Sequence, residues 1–144
     1  MGNQVLLIED EPHISEAIRF ILARDGWAVT SHGSGAGALD AIRVAAPDVL
    51  ILDVMLPERS GYDILADLRA DPVLADLPVL VLSARGRQDG QAAAERAGAS
   101  RFIAKPFANA EVLAALRDLA GAGPGGAALP GPAGPAVAGF GRDA

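Results

Sequence analysis

The sequence predicts a doubly wound α/β fold with a five-stranded parallel sheet, and three observations carry that prediction. Five short aliphatic runs recur along the chain, and each is followed by a segment whose apolar residues repeat at helical spacing. The central runs are apolar at successive rather than alternate positions, the mark of strands buried on both faces. Strict alternation of strand and helix then implies right-handed crossovers, with helices on both sides of the sheet.

Val5 to Ile8 is the first run, and it ends in an acidic trio, Glu9, Asp10 and Glu11, with Pro12 at a helix-starting position. Ile14, Ala17, Ile18, Ile21 and Leu22 predict an amphipathic helix over 13–24 that stops near Gly26. Trp27 to Ser31 reads as a short peripheral strand. The small-residue turn Gly33 to Gly37 leads to a helix with Leu39, Ile42 and Ala46 inward, ended by Pro47. Asp48 to Leu52 is the central strand, and it delivers a single carboxylate, Asp53, before the chain breaks at Pro57. A charge is costly to desolvate, so Asp53 is expected as an exposed acid at the C-terminal edge of the sheet, where open α/β folds place their ligand sites.

After the loop Pro57 to Gly61, Ile64, Leu65 and Leu68 mark a third helix, terminated by Asp71-Pro72. Pro78 opens a fourth strand, Val79 to Leu82, capped by Ser83. The helix expected over 86–99 contains no Leu, Ile, Val, Phe or Met and carries Gly90 inside. At roughly 25 cal/mol per Å² its short side chains bury little, so it is the element expected to shift in response to a signal. Arg101 to Ala104 is the fifth strand, ended by Lys105-Pro106, and Glu111 to Ala120 is a last helix with Val112, Leu113, Leu116 and Leu119 inward. The expected architecture is a flavodoxin-like (βα)5 sheet of order 2-1-3-4-5 over residues 1–120. Residues 121–144 are nearly all Gly, Ala and Pro and are expected to form a disordered tail.

Composition narrows the function. In 144 residues, 51% hydrophobic composition suffices for one core, while a net charge of −6 with no basic cluster argues against nucleic acid as a direct partner. The absence of Cys removes disulfides and thiolate chemistry and leaves oxygen or imidazole to hold any metal. Met1 to Gln4 runs straight into a strand, with no signal-peptide pattern and no 18-residue apolar span, so a cytoplasmic protein without membrane insertion is expected. Eleven of the twelve basic residues are Arg, and Lys105 is the exception.

Parallel strands point their C-terminal ends to one edge, so Glu9, Asp10, Asp53, Ser83 and Lys105 are expected to converge there. Each has an ordinary structural use when taken singly: Asp53 as a turn residue, the acidic trio as a helix start, Ser83 as a cap, Lys105 as a surface charge. Their coincidence at four strand ends is harder to explain that way. Clustered carboxylates raise one another's pKa unless a cation neutralises them, and Mg²⁺, which takes oxygen ligands and keeps several waters, fits best. Lys105 supplies a compact charge suited to a phosphoryl group. Neither His13 nor His32 has metal-ligand spacing to a partner, and both are read as structural or surface residues.

The segments VLLIEDEP, LILDVMLP, VLSAR and FIAKPF, in this order, resemble the receiver domains of two-component response regulators over residues 3–120. The resemblance implies that Asp53 is the phosphoacceptor, attacking the phosphoryl group of a phosphohistidine on a histidine kinase or histidine phosphotransfer protein. It implies Asp10 as a direct Mg²⁺ ligand, Glu9 as a ligand directly or through water, and the Met55 backbone carbonyl as a third. Lys105 would pair with Asp53 and then with a phosphoryl oxygen. Ser83 would donate its hydroxyl to the phosphoryl group, and its shift would let Phe102 turn inward; lacking a phenolic oxygen, Phe102 would switch by packing alone. Lys105-Pro106 would be a cis peptide, and the side chains of Met55 and Arg85 would tune phosphoryl lifetime. The output face would be the fourth helix, fifth strand and fifth helix, acting on an unknown downstream protein. The turn Ala99-Ser100-Arg101 lacks the acidic pair of receivers that dimerise to drive winged-helix DNA binding.

Three other readings compete. A phosphatase of the haloacid dehalogenase type needs a second acid two residues after its nucleophile, and position 55 is Met. A flavin-binding protein needs a Ser/Thr/Gly-rich phosphate loop where Glu9-Asp10-Glu11 stands. A receiver fold that signals without phosphorylation would have no need of Asp10, Asp53, Ser83 and Lys105 together. The reading that follows is a signalling phosphoacceptor that catalyses only its own phosphorylation and dephosphorylation.

Overall fold

The computed structural model describes residues 3–84 and 87–122. The chain runs β1 (Gln4–Ile8), α1 (Pro12–Arg24), β2 (Ala28–His32), α2 (Ala38–Ala45), β3 (Val49–Asp53), α3 (Gly61–Ala70), β4 (Val79–Ser83), α4 (Arg87–Ala97), β5 (Arg101–Ala104) and α5 (Asn109–Ala122). All neighbouring strands are parallel, and their order is β2-β1-β3-β4-β5, as expected for a flavodoxin-like sheet.

Alternation along each buried strand divides the core into two layers. Leu6, Ile8, Leu50, Leu52, Val79 and Val81 face a cluster shared with α2, α3 and α4, through Ile42, Ile64, Leu65, Leu68 and Ala94. Val5, Leu7, Val49, Ile51, Leu80, Leu82 and Ile103 face the opposite cluster, closed by Ile18 and Leu22 of α1 and Val112, Leu116 and Leu119 of α5. Period-two side-chain geometry thus turns a uniformly apolar run into two interfaces.

Local chemistry sets the ends. Glu11 caps α1, accepting from His13 N–H at 2.9 Å with Pro12 behind it, and Ser60 Oγ caps α3 by accepting from Tyr62 and Asp63 N–H. Several bounds differ from expectation: β2 is Ala28–His32 rather than 27–31, and α2 ends at Ala45, so Ala46, expected inward, is an exposed C-cap residue at φ 44°. The third strand includes Asp53 itself, because Val54 N–H still donates to Leu82 O at 3.0 Å. Helix α5 runs to Ala122, so Gly121 and Ala122 are helical where the tail was expected to begin. The disorder expected beyond them, and Arg85, lie outside the described residues. Among the described residues no helix is long and apolar enough to cross a membrane.

Candidate functional site

The C-terminal ends of β1, β3, β4 and β5 bring the predicted residues to one edge. Asp53, the last residue of β3, is only 1% exposed, which corrects the expectation of an exposed acid. Its burial is offset by Lys105 at the end of β5, whose Nζ lies 3.1 Å from Asp53 Oδ1. The same ammonium lies 3.3 Å from Glu9 Oε1, so one cation serves two buried carboxylates. Burial alone would pull the Lys105 ammonium down, but Asp53 and then Glu9 outweigh it and raise its pKa.

Glu9 is buried while Asp10 is exposed. Glu9 Oε2 accepts from the Glu11 N–H at 3.0 Å, while the buried Oε1 faces the Lys105 ammonium at 3.3 Å. Burial, and after it the nearby Asp53 charge, push the Glu9 pKa up to about 6 against the opposing Glu11 hydrogen bond and Lys105. Carboxylate oxygens of Glu9, Asp10 and Asp53 all lie within 4.8 Å of one another. Three carboxylates gathered against a single ammonium form an all-oxygen donor set that suits a hard divalent cation.

Backbone contacts fix this edge. Met55 N–H donates to Asp53 Oδ1 at 3.4 Å, and the Met55 side chain, 67% exposed, turns outward. Gly61 N–H donates to Val54 O at 2.9 Å, and a Cβ on Gly61 would lie 2.3 Å from Asp53 O, so only glycine permits α3 to start this close to β3. Ser83 is fully buried at the end of β4, and its carbonyl accepts from Lys105 N–H at 2.7 Å. The Lys105-Pro106 peptide is cis.

Phe102 stands apart from this cluster. It is half-buried on β5 opposite Val81, and it lines a cavity of about 280 Å³ with Gln91 of α4 and Glu111, Ala114 and Ala115 of α5. His32 Nε2 lies 2.7 Å from Ala36 O, and neither histidine joins the acidic group among the described residues. Sequence reasoning missed the Glu9–Lys105 contact and the Gly61 approach; a glycine just after a strand-ending acid was the available signal for the second.

Comparison with known proteins agrees with this geometry. The family model for the response regulator receiver domain matches residues 5–117. The transcriptional regulatory protein KdpE of Mycobacterium tuberculosis is 45% identical over 113 residues, 78% of this chain and 49% of its own length. The response regulator MprA of the same organism is 38% identical over 119 residues, 83% of this chain and 51% of its own. The chain thus spans about half the length of the curated relatives it matches. Among solved structures, the receiver domain of a Pseudomonas aeruginosa sensor histidine kinase, with a magnesium ion coordinated in its active-site cleft, superposes with TM-score 0.76 at 29% identity, covering 84% of this chain and 99% of that one. The BeF3-activated receiver domain of Klebsiella pneumoniae RstA gives TM-score 0.74 at 29% identity, with coverages of 80% and 96%. This chain belongs to the response regulator receiver domain family, the signal-receiving module of two-component systems.

Proposed function

We propose that this domain takes a phosphoryl group onto Asp53 from a phosphohistidine of a histidine kinase or phosphotransfer protein. The observation that carries the reading is a buried Asp53 in contact with Lys105 at 3.1 Å, with Glu9 and Asp10 oxygens within 4.8 Å. An Asp53 carboxylate oxygen attacks phosphorus and forms the acyl phosphate; the phosphorus–nitrogen bond breaks, and its electron pair returns to the imidazole of the donor. Lys105 Nζ exchanges its contact with Asp53 for one with a phosphoryl oxygen, and the Ser83 hydroxyl donates to another. Asp10, Glu9, Asp53 and the Met55 carbonyl would hold Mg²⁺, which supplies charge neutralisation between the carboxylates and the incoming phosphoryl oxygens.

Readout runs through α4, β5 and α5 to a protein partner, with Phe102 moving within the cavity between the two helices and with no direct contact to nucleic acid. Support for that face comes from the half-buried Phe102 and from the small side chains that hold α4.

Incubation with Mg²⁺ and acetyl phosphate should add one phosphoryl mass to the wild-type chain and none to Asp53→Asn. Equal uptake by both would sink the assignment. No uptake by either, with the fold intact, would favour a receiver that signals without phosphorylation.

A further inference from the structure

Arg69, on the last turn of α3, is half-buried, and its guanidinium has no carboxylate within ion-pair distance among the described residues. It spends its donors on backbone instead. Nε donates to Gly98 O at 2.9 Å, one terminal nitrogen donates to Ala75 O and Leu77 O at 2.8 Å each, and the other approaches Ser100 Oγ at 3.5 Å. Ser100 Oγ in turn accepts from Val79 N–H at 3.1 Å. One side chain therefore ties the end of α3, the entry to β4 and the turn from α4 into β5.

That turn is also closed on the helix side. Gly98, at φ +101°, donates to Glu95 O, and Ala99 N–H reaches back to Ala94 O, the two bonds of a Schellman motif. A Cβ on Gly98 would meet Arg69 Cγ at 3.1 Å, so guanidinium stem and turn are in close contact. Over 90–97 of α4 the buried residues are Gly90 and Ala94, both small.

We infer that Arg69 is a pin for the C-terminal end of α4, so that the helix loosens and swings from its N-terminal end about the Gly98 turn. The pin stands on the unmodified protein; its use in signalling rests on the phosphoacceptor reading. Charge-assisted hydrogen bonds to three carbonyls in a partly desolvated site are each stronger than neutral ones, which is why one residue suffices.

Residue-resolved hydrogen exchange on the metal-free chain tests it. Helix ends normally fray, yet Gly98 and Ala99 amides should exchange about tenfold more slowly than those of 91–94, and Arg69→Met should abolish that difference while β1 and β3 amides stay protected. Gly98 and Ala99 exchanging as fast as 91–94 in the wild type would overturn the pin, even if Arg69→Met does not fold. With Mg²⁺ and beryllofluoride, exchange should change at 91–94 and stay within about twofold at 98–99; equal changes at both ends would overturn the pivot. No change at either end, together with no phosphoryl uptake, would count against the phosphoacceptor reading, and the metal-free comparison would still decide the pin.

Discussion

Glu9 holds a carboxylate in a position only 4% exposed, with the Asp53 charge nearby. Burial raises its pKa from the ordinary 4.5 to about 6, so the native state binds that proton more tightly than the unfolded chain. The resulting stabilisation, on the order of 2 kcal/mol, is complete below the unfolded value and lost as pH rises through the folded one. Chemical denaturation of the metal-free chain should therefore show the wild type losing about 2 kcal/mol relative to Glu9→Gln between pH 4.5 and 7.5; parallel profiles would contradict the burial argument. Asp53 and Lys105 were legible because each ends an aliphatic run, and Lys105 is the chain's one lysine. The Glu9–Lys105 contact was not. Strands β1 and β5 are separated by β3 and β4, and the reach of two long side chains across that gap leaves no trace in spacing.

The start of α3 shows how closely helix and strand are fitted at the site. In Gly61→Ala the new methyl would sit 2.3 Å from Asp53 O, a contact that the backbone must relieve by moving. The expected cost is about 2 kcal/mol of unfolding free energy, with a displaced Asp53 and slower phosphoryl uptake. Ser60→Ala, which removes only the cap, should cost about 1 kcal/mol and leave uptake unchanged. Equal uptake rates in both variants would show that Asp53 does not depend on this approach. Helices α1, α2, α3 and α5 were legible from apolar spacing, and the small buried side chain that α4 contributes, Ala94, from its run of alanines. Ser60-Gly61 read only as a loop, because a turn glycine and a close-approach glycine look alike until the partner strand is placed. Arg69 left no signal in the sequence, because its acceptors are carbonyls, which every sequence has.

Taken together, the sheet gathers three acids against one lysine at a single edge, so the domain should be more stable with a divalent cation than without. At about 100 times the dissociation constant, Mg²⁺ should raise the unfolding free energy by roughly 2.7 kcal/mol. Asp10→Asn, which changes an exposed residue and disturbs no core contact, should lose most of that gain. A thermal shift retained in Asp10→Asn would remove Asp10 from the ligand set. The parallel sheet was legible from alternation, since crossover handedness and short connections leave few arrangements for five βα units, and the strand order followed from the flavodoxin-like arrangement among them.

The isolation of Lys105 also has a practical side. Its side chain is 16% exposed and shielded by two carboxylates, and no other residue of the chain carries an ε-amine. Amine-directed coupling at Lys105 is therefore disfavoured, which keeps label away from the Asp53 site. Selective ¹⁵N-lysine labelling will give one ammonium signal, a spectroscopic reporter of the Asp53 environment that needs no assignment.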